Sequence, residues 1–189
     1  IYIVVSRAWK ITIPELIFCT AFINFLIYIP LWIIFFPNNF LYYSFIAAIA
    51  AANSDTWGTE IGKSSKTKPI DIISGKKLNE GESGGVTAIG IVGSLLGSLL
   101  IGLTGYLFDI DIKYLMMILI SGFLASLFDS ILGSTFQSRF ISKNGLIISE
   151  SYIKSYYLFT GDKRLNNDAV NFFCTVSSPL FLIIINAIL

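Results

Sequence analysis

No histidine occurs anywhere in this 189-residue sequence. Its absence removes the usual general base at neutral pH and the commonest transition-metal ligand. Cysteine is nearly as scarce. Cys19 and Cys174 each lie inside an apolar run, which suits small buried hydrophobes better than a disulfide or a thiolate metal site. Charge is low as well: Asp, Glu, Lys and Arg make up 13% of the chain, against about 25% in an ordinary soluble domain. A soluble globular class is therefore excluded. The net charge of +1 says little, because the charges are segregated along the chain.

Apolar residues fill the space that charge leaves. The chain is 54% hydrophobic, with 16 Phe, 9 Tyr and long Ile/Leu runs, the composition of an integral membrane protein. A hydrocarbon core of about 30 Å needs roughly 20 apolar residues per helix. Stretches of that length run over residues 11–36 (interrupted by Pro14 and Pro30), 40–57, 86–108, 112–136 and 166–189. The fold class read from them is all-α. The expected form is a polytopic transmembrane bundle of about five helices in one domain spanning residues 1–189, with two roughly parallel repeats and cytoplasmic polar loops. The chain begins with Ile, and residues 1–5 read as the stub of an earlier helix. A further N-terminal helix is expected on that ground.

Basic residues favour the cytoplasmic side of a membrane protein. Arg7 and Lys10 precede the first span, and Lys63, Lys66, Lys68, Lys76 and Lys77 follow the second. Arg139, Lys143, Lys154, Lys163 and Arg164 lie between the last two spans, and only Lys113 falls on the other side. Twelve of 13 basic residues thus share one side, which makes both long polar segments cytoplasmic. The 86–108 span carries Gly90, Gly93, Gly97, Ser98, Gly102 and Gly105, a spacing that lets membrane helices approach closely.

The residue types that stand out are acidic. Asp55 and Glu60 end the second span in Ala51-Ala52-Asn53-Ser54-Asp55-Thr56-Trp57-Gly58-Thr59-Glu60-Ile61-Gly62. A similar pattern returns 74 positions later, as Ala125-Ser126-Leu127-Phe128-Asp129-Ser130-Ile131-Leu132-Gly133-Ser134-Thr135. Carboxylates at membrane depth cost a few kcal/mol unless they have a partner or a task. Positions i and i+4 share a helix face, so Asp55 aligns with Thr59, and Asp129 with Gly133. The two helices run in the same direction, so the carboxylates should sit at similar depth. Either Asp alone could cap a helix or pair with Lys63 or Arg139; the repeat at matched depth favours a shared site. All-oxygen ligands without His or Cys suit Mg²⁺, which uses one or two carboxylates plus substrate phosphates.

Two further segments point the same way. Lys76-Lys77-Leu78-Asn79-Glu80-Gly81-Glu82-Ser83-Gly84-Gly85-Val86-Thr87 enters the third full span. Ser83 reads as its N-cap, and the glycines can turn backbone N–H groups toward an anion. No Gly-Lys-Ser/Thr opens the helix, so this is not a Walker A loop. Asn166-Asn167-Asp168-Ala169-Val170-Asn171 opens the last span after Lys163-Arg164, and capping accounts for only part of so many polar groups.

Four blocks taken together carry a resemblance: Ala51–Gly62, Gly81–Thr87, Asp129–Gln137 and Asn167–Asn171. In this order and spacing they resemble an integral membrane family whose plant members are phytyl-phosphate kinases of tocopherol synthesis. Most of its bacterial and archaeal members are described only as uncharacterised membrane proteins. The resemblance covers the chain from about residue 45 onward. It implies transfer of a phosphoryl group from a nucleoside triphosphate, CTP or ATP, to a polyprenyl-type monophosphate, giving the diphosphate. In that reading Asp55, Glu60, Asp129 and Asp168 hold Mg²⁺, and Asp55, Asp129 and Lys77 serve catalysis. Ser83, Gly84, Gly85 and Thr87 cradle phosphate, while Lys63, Lys76, Lys77 and Arg139 neutralise its charge. Asn167 and Asn171 complete the shell. The isoprenoid tail would lie between helices, along the glycine-lined face of the 86–108 span. Implied partners are an isoprenoid lipid phosphate and membrane lipids, with no nucleic acid; the oligomeric state stays open.

Two rival classes handle similar chemistry. A cytidylyltransferase or CDP-alcohol phosphotransferase also uses Mg²⁺ and intramembrane Asp, but several Asp at fixed spacing in one helix are missing here. A small-solute transporter would place its polar groups near the bilayer midplane, whereas these cluster at one end of their helices.

Overall fold

The computed structural model describes residues 38–107, 110–142, 148–149 and 156–189. The predicted span over 11–36, the stub at 1–5, and Lys143 and Lys154 lie outside the described residues. Four helices are described: α1 (Asn38–Lys63), α2 (Ala88–Tyr106), α3 (Ile112–Thr135) and α4 (Asn167–Ile188). Of these, α2, α3 and α4 are long and apolar enough to cross a membrane by length and composition. α1 and α3 each pack against all three other helices, so the pair forms the centre of the bundle.

Helix starts are fixed by short polar side chains. The Thr87 hydroxyl accepts from Gly90 N (3.1 Å), Asp111 Oδ1 from Lys113 N (2.8 Å), and Asn166 Oδ1 from Ala169 N (2.9 Å). Each answers an N–H that the first helical turn leaves unpaired. Ser83 is therefore not the cap of α2, as the sequence suggested; that role falls four residues later, to Thr87. α1 also runs six residues past its expected end at Trp57. Gly58 and Gly62 do not stop it, because both face α2 at close range rather than solvent.

The polar segments are not plain loops within an all-α chain. β1 (Ile70–Asp71) pairs antiparallel with β2 (Gly85–Val86), with Ile70 opposite Val86 and Asp71 opposite Gly85. β3 (Arg139–Ser142) forms the centre of a three-stranded antiparallel sheet between β4 (Ile148–Ser149) and β5 (Tyr156–Thr160). Strands of two to five residues give too little alternation to stand out in a sequence. Only the aromatic run Tyr156-Tyr157-Leu158-Phe159 carries a β signal.

Packing within the bundle rests on small residues. A Cβ added at Gly90, Gly93 or Gly97 would meet the backbone oxygens of Gly58 (2.9 Å), Trp57 (2.8 Å) and Asn53 (2.8 Å). Side-chain hydrogen bonds to backbone reinforce this approach: Asn53 Nδ2 donates to Gly97 O (2.7 Å) and Ser54 Oγ to Ser94 O (2.8 Å). α3 is tied to α2 by Ser98 Oγ on Leu119 O, and α4 to α1 by Ser178 Oγ on Ala47 O, both at 2.8 Å. The Gly90, Gly93 and Gly97 face of α2 is thus filled by α1, with no room there for an isoprenoid chain. That expectation is corrected: the spacing marked helix contact.

Above an apolar cluster built on Phe40, Met117, Ile118 and Leu182 lies a second, smaller one of Ala51, Ala125 and Cys174. This second cluster brings α1, α3 and α4 together one helical turn before the residues discussed next.

The glycine contacts give a matched pair of variants on one helix. Gly97→Ala places a methyl against Asn53 O, and overpacking of this kind costs about 1–3 kcal/mol. Gly102→Ala meets nothing closer than 3.6 Å and gains helix propensity. Thermal unfolding in detergent should show a lower Tm for Gly97→Ala and an equal or higher one for Gly102→Ala.

Candidate functional site

Ala51 precedes Asp55 by one helical turn, and Ala125 precedes Asp129 by the same interval. Residues four apart lie one above the other on a helix, so each carboxylate stands one turn beyond an alanine of the same packed cluster. Asp55 and Asp129 accordingly line a single cavity of about 340 Å³. The cavity lies at the end of the bundle where α1 and α3 finish and α2 and α4 begin, away from the middle of the helices.

Each element supplies one wall. α1 contributes Asp55, Thr56, Thr59, Glu60 and Lys63, and α3 contributes Ser126, Asp129 and Ser130. The start of α2 adds Thr87, Ile91 and Ser94, and Asn167 and Asn171 come from the first turns of α4. Gln137, buried, reaches Asn167 Oδ1 through its Nε2 at 3.5 Å. The segment before α2 closes the remaining side with Glu80, Glu82, Ser83, Gly84 and Gly85. Nearly every polar atom offered is oxygen, the donor set of hard divalent cations and their phosphate complexes.

Of the residues singled out in the sequence, Asp55, Glu60, Lys63, Ser83, Gly84, Gly85, Thr87, Asp129, Asn167 and Asn171 come together in this lining. Lys76, Lys77, Arg139 and Asp168 do not. Lys76 and Lys77 are exposed on the turn between β1 and β2, where the Lys76 carbonyl accepts from Asp71 N. Asp168 is exposed in the first turn of α4, where a carboxylate favours the helix dipole. Arg139 is turned inward onto backbone: its Nη2 donates to Ser83 O and to Gly133 O (3.3 Å).

Charge in the lining is one-sided. Five carboxylates (Asp55, Glu60, Glu80, Glu82, Asp129) face one cation, Lys63, whose Nζ lies 2.6 Å from Glu60 Oε1 in an exposed pair. An anionic ligand would be repelled unless divalent cations enter with it. The sequence reading shared that task among four basic side chains; three of them sit elsewhere. No group of three or more His, Cys, Asp or Glu side chains that could hold a metal converges among the described residues. Asp55 and Asp129 are thus the carboxylate pair that fits a cation completing its shell with water and phosphate, the usual habit of Mg²⁺.

Sequence reasoning missed one carboxylate outside the cavity. Asp71 is buried, its Oδ1 accepts from Ile73 N (3.2 Å) and Ser74 N (2.7 Å), and its Oδ2 accepts from Ser134 Oγ at the end of α3 (2.8 Å). The signal available was the turn pattern Asp71-Ile72-Ile73-Ser74-Gly75, in which an Asp bonds the backbone two and three residues on. Burial pushes this carboxyl up, but the bonds from Ser74, Ser134 and Ile73 outweigh it and hold it below the ordinary value. A depressed native pKa stabilises the fold above the unfolded pKa, about 3.9, and the contribution is lost as pH falls through the native value. The stability gap between the wild type and Asp71→Asn should therefore be constant near neutrality and shrink below about pH 4, as read by unfolding in detergent across pH.

Comparison with known proteins adds a family. Residues 9–178 match the family described as integral membrane protein DUF92. Uncharacterized membrane protein MJ0933 of Methanocaldococcus jannaschii is 37% identical over 109 residues, which cover 58% of this chain and 46% of that protein. Protein PGR of Arabidopsis thaliana is 34% identical over 140 residues, covering 67% of this chain and 48% of that protein. The chain spans about half the length of these relatives. No solved structure gives a significant match.

Proposed function

This chain belongs to the integral membrane protein family DUF92, and from its cavity we propose that it is a kinase transferring a phosphoryl group from ATP or CTP to a polyprenyl monophosphate. The observation that carries the reading is the pairing of Asp55 and Asp129, from different helices, on one oxygen-lined cavity at the end of the bundle. A transporter would need such groups near the middle of its helices.

Asp55 and Asp129 would hold Mg²⁺, which when bound would neutralise charge on the transferring phosphates. Thr56, Thr59, Ser126, Ser130, Asn167 and Asn171 surround the pair with neutral oxygen and amide groups able to orient phosphate and water. Phosphoryl transfer asks the protein mainly for positioning and charge neutralisation. A phosphate oxygen of the acceptor forms the new bond to the γ-phosphorus, the bond from that phosphorus to the β–γ bridging oxygen breaks, and the nucleoside diphosphate leaves. The attacking monophosphate is already anionic, so no base is required, in keeping with a chain that has no His. Ile91 and Leu127 supply apolar lining, and the acceptor's hydrocarbon chain would leave the cavity past them. The concentration of Lys and Arg in the segments at this end supports a cytoplasmic orientation for the cavity.

Purified protein with γ-labelled nucleotide, Mg²⁺ and a panel of prenyl monophosphates tests the reading. Labelled prenyl diphosphate is the expected product; a nucleotidyl-lipid with release of pyrophosphate, or no product across the panel, overturns it. Asp55→Asn and Asp129→Asn should each lower turnover by at least about 100-fold, because a metal site supplies several kcal/mol of charge stabilisation. Both variants should elute as the wild type does in detergent.

A further inference from the structure

The Ser83-Gly84-Gly85 turn walls the cavity opposite α1, yet it belongs to no helix and to only the edge of a two-stranded sheet. A turn of this kind, in a segment rich in glycine, would ordinarily be loose. Here both of its leading carbonyls are engaged. Ser83 O accepts from the Arg139 guanidinium and Gly84 O from Ile72 N at 3.0 Å. Arg139 reaches Gly133 O with the same nitrogen, so one side chain bridges the turn to the last turns of α3.

A second tie acts from the other side. Ile72, which holds Gly84 O, directly follows Asp71, whose carboxylate is fastened to Ser134 of α3. Gly84 has a φ of +78° and lies so close to Ser134 that an added Cβ would fall 2.6 Å from its backbone nitrogen. On the facing side, a Cβ at Gly133 would come within 2.9 Å of Gly84 N. Two glycines in contact, one held in the left-handed region, allow the turn and the helix end to touch backbone to backbone.

We infer that Arg139 and Asp71 are positioning residues: through Ser83 O and Ser134 Oγ they clamp the Ser83–Gly85 turn onto the α3 helix that carries Asp129, so that a phosphate held by the turn is presented to the cation held by Asp129. The turn and Asp129 then form one rigid unit, and no lid movement is needed to bring them together. A peptide carbonyl and the N–H that follows it point in opposite directions. Fixing Ser83 O on Arg139 therefore fixes the direction of the Gly84 N–H. Arg139 is thereby assigned to protein backbone and not to phosphate, although its charge alone suggests the opposite. The inference rests on the phosphate-binding reading of the cavity but not on kinase activity.

The test uses the whole protein in detergent, with Mg²⁺-pyrophosphate as the probe, so that it reads binding even if no acceptor is ever phosphorylated. Amide hydrogen exchange over residues 72–87 and the Kd for Mg²⁺-pyrophosphate would be measured for the wild type, Arg139→Ala, Asp71→Asn and Ser134→Ala. Expected are at least tenfold faster exchange in that segment and at least fivefold weaker binding in each variant. Exchange in the middle of α2 and α3 should stay at wild-type level, which a general loss of fold would not allow. Asp71→Asn and Ser134→Ala have the Asp71–Ser134 bond in common, so combining them should give less than the sum of their separate effects. Should Arg139→Ala be too unstable to purify, Ser134→Ala, which deletes a single hydroxyl, carries the test. Faster exchange with unchanged pyrophosphate affinity would overturn the positioning role, and unchanged exchange would overturn the clamp itself. Wild-type protein that binds no pyrophosphate at any Mg²⁺ concentration would instead defeat the phosphate reading of the cavity.

Discussion

The contact of Ala51 with Ala125 and Cys174 sets the geometry on which the site depends. Three helices can converge at that level only because the side chains there are small. With Asp55 and Asp129 each one turn further on, the contact leaves a gap whose width is set by the helices themselves and whose walls begin with carboxylates. A larger residue at Ala51 or Ala125 would spread α1 from α3 and pull the carboxylates apart. The depth of the pair follows from helix pitch and needs no loop to arrange it.

The same economy of side-chain volume runs through the bundle. Hydrophobic burial gives membrane helices little reason to associate, since lipid is as apolar as the side chains. Contact must come from close packing and from hydrogen bonds such as those of Asn53, Ser54, Ser98 and Ser178 to carbonyls on neighbouring helices. Asn53 and Ser54 stand beside Asp55 in the sequence but have a different task, because one or two positions' rotation on a helix turns them toward α2 rather than the cavity. Within one polar motif, structure and chemistry are divided by helical phase.

Outside the helices, the backbone of the polar segments has its own partners. β1 and β2 join the two ends of the segment between α1 and α2, and Asp71 and Arg139 attach it to α3. In the proposed reading, divalent cations entering with a polyanionic ligand would offset the surplus of carboxylates over cations in the cavity. Lys76 and Lys77, exposed at the same end, would act on an anionic ligand only at longer range.

Much of this was legible in the residues. Length and hydropathy located α2, α3 and α4 to within two residues of their ends, because a run of apolar side chains answers to bilayer thickness alone. The repeated acidic segments marked both carboxylates of the cavity lining, since helix periodicity is a local property. Other features escaped. Gly58 looked like the end of α1, and the glycines of α2 like a trough for a lipid tail, because a missing side chain does not say what fills its place. Arg139 and Lys77 looked like phosphate ligands from charge, but the direction of a long side chain is set by which carbonyls lie within reach. Composition and period alone point to a helical membrane chain with two similar acidic segments. Packing between distant segments is what brings both onto one cavity, closes it with a glycine turn and sets some of the basic residues apart. Those are contacts between segments some 55 to 75 positions apart, and no local pattern encodes them.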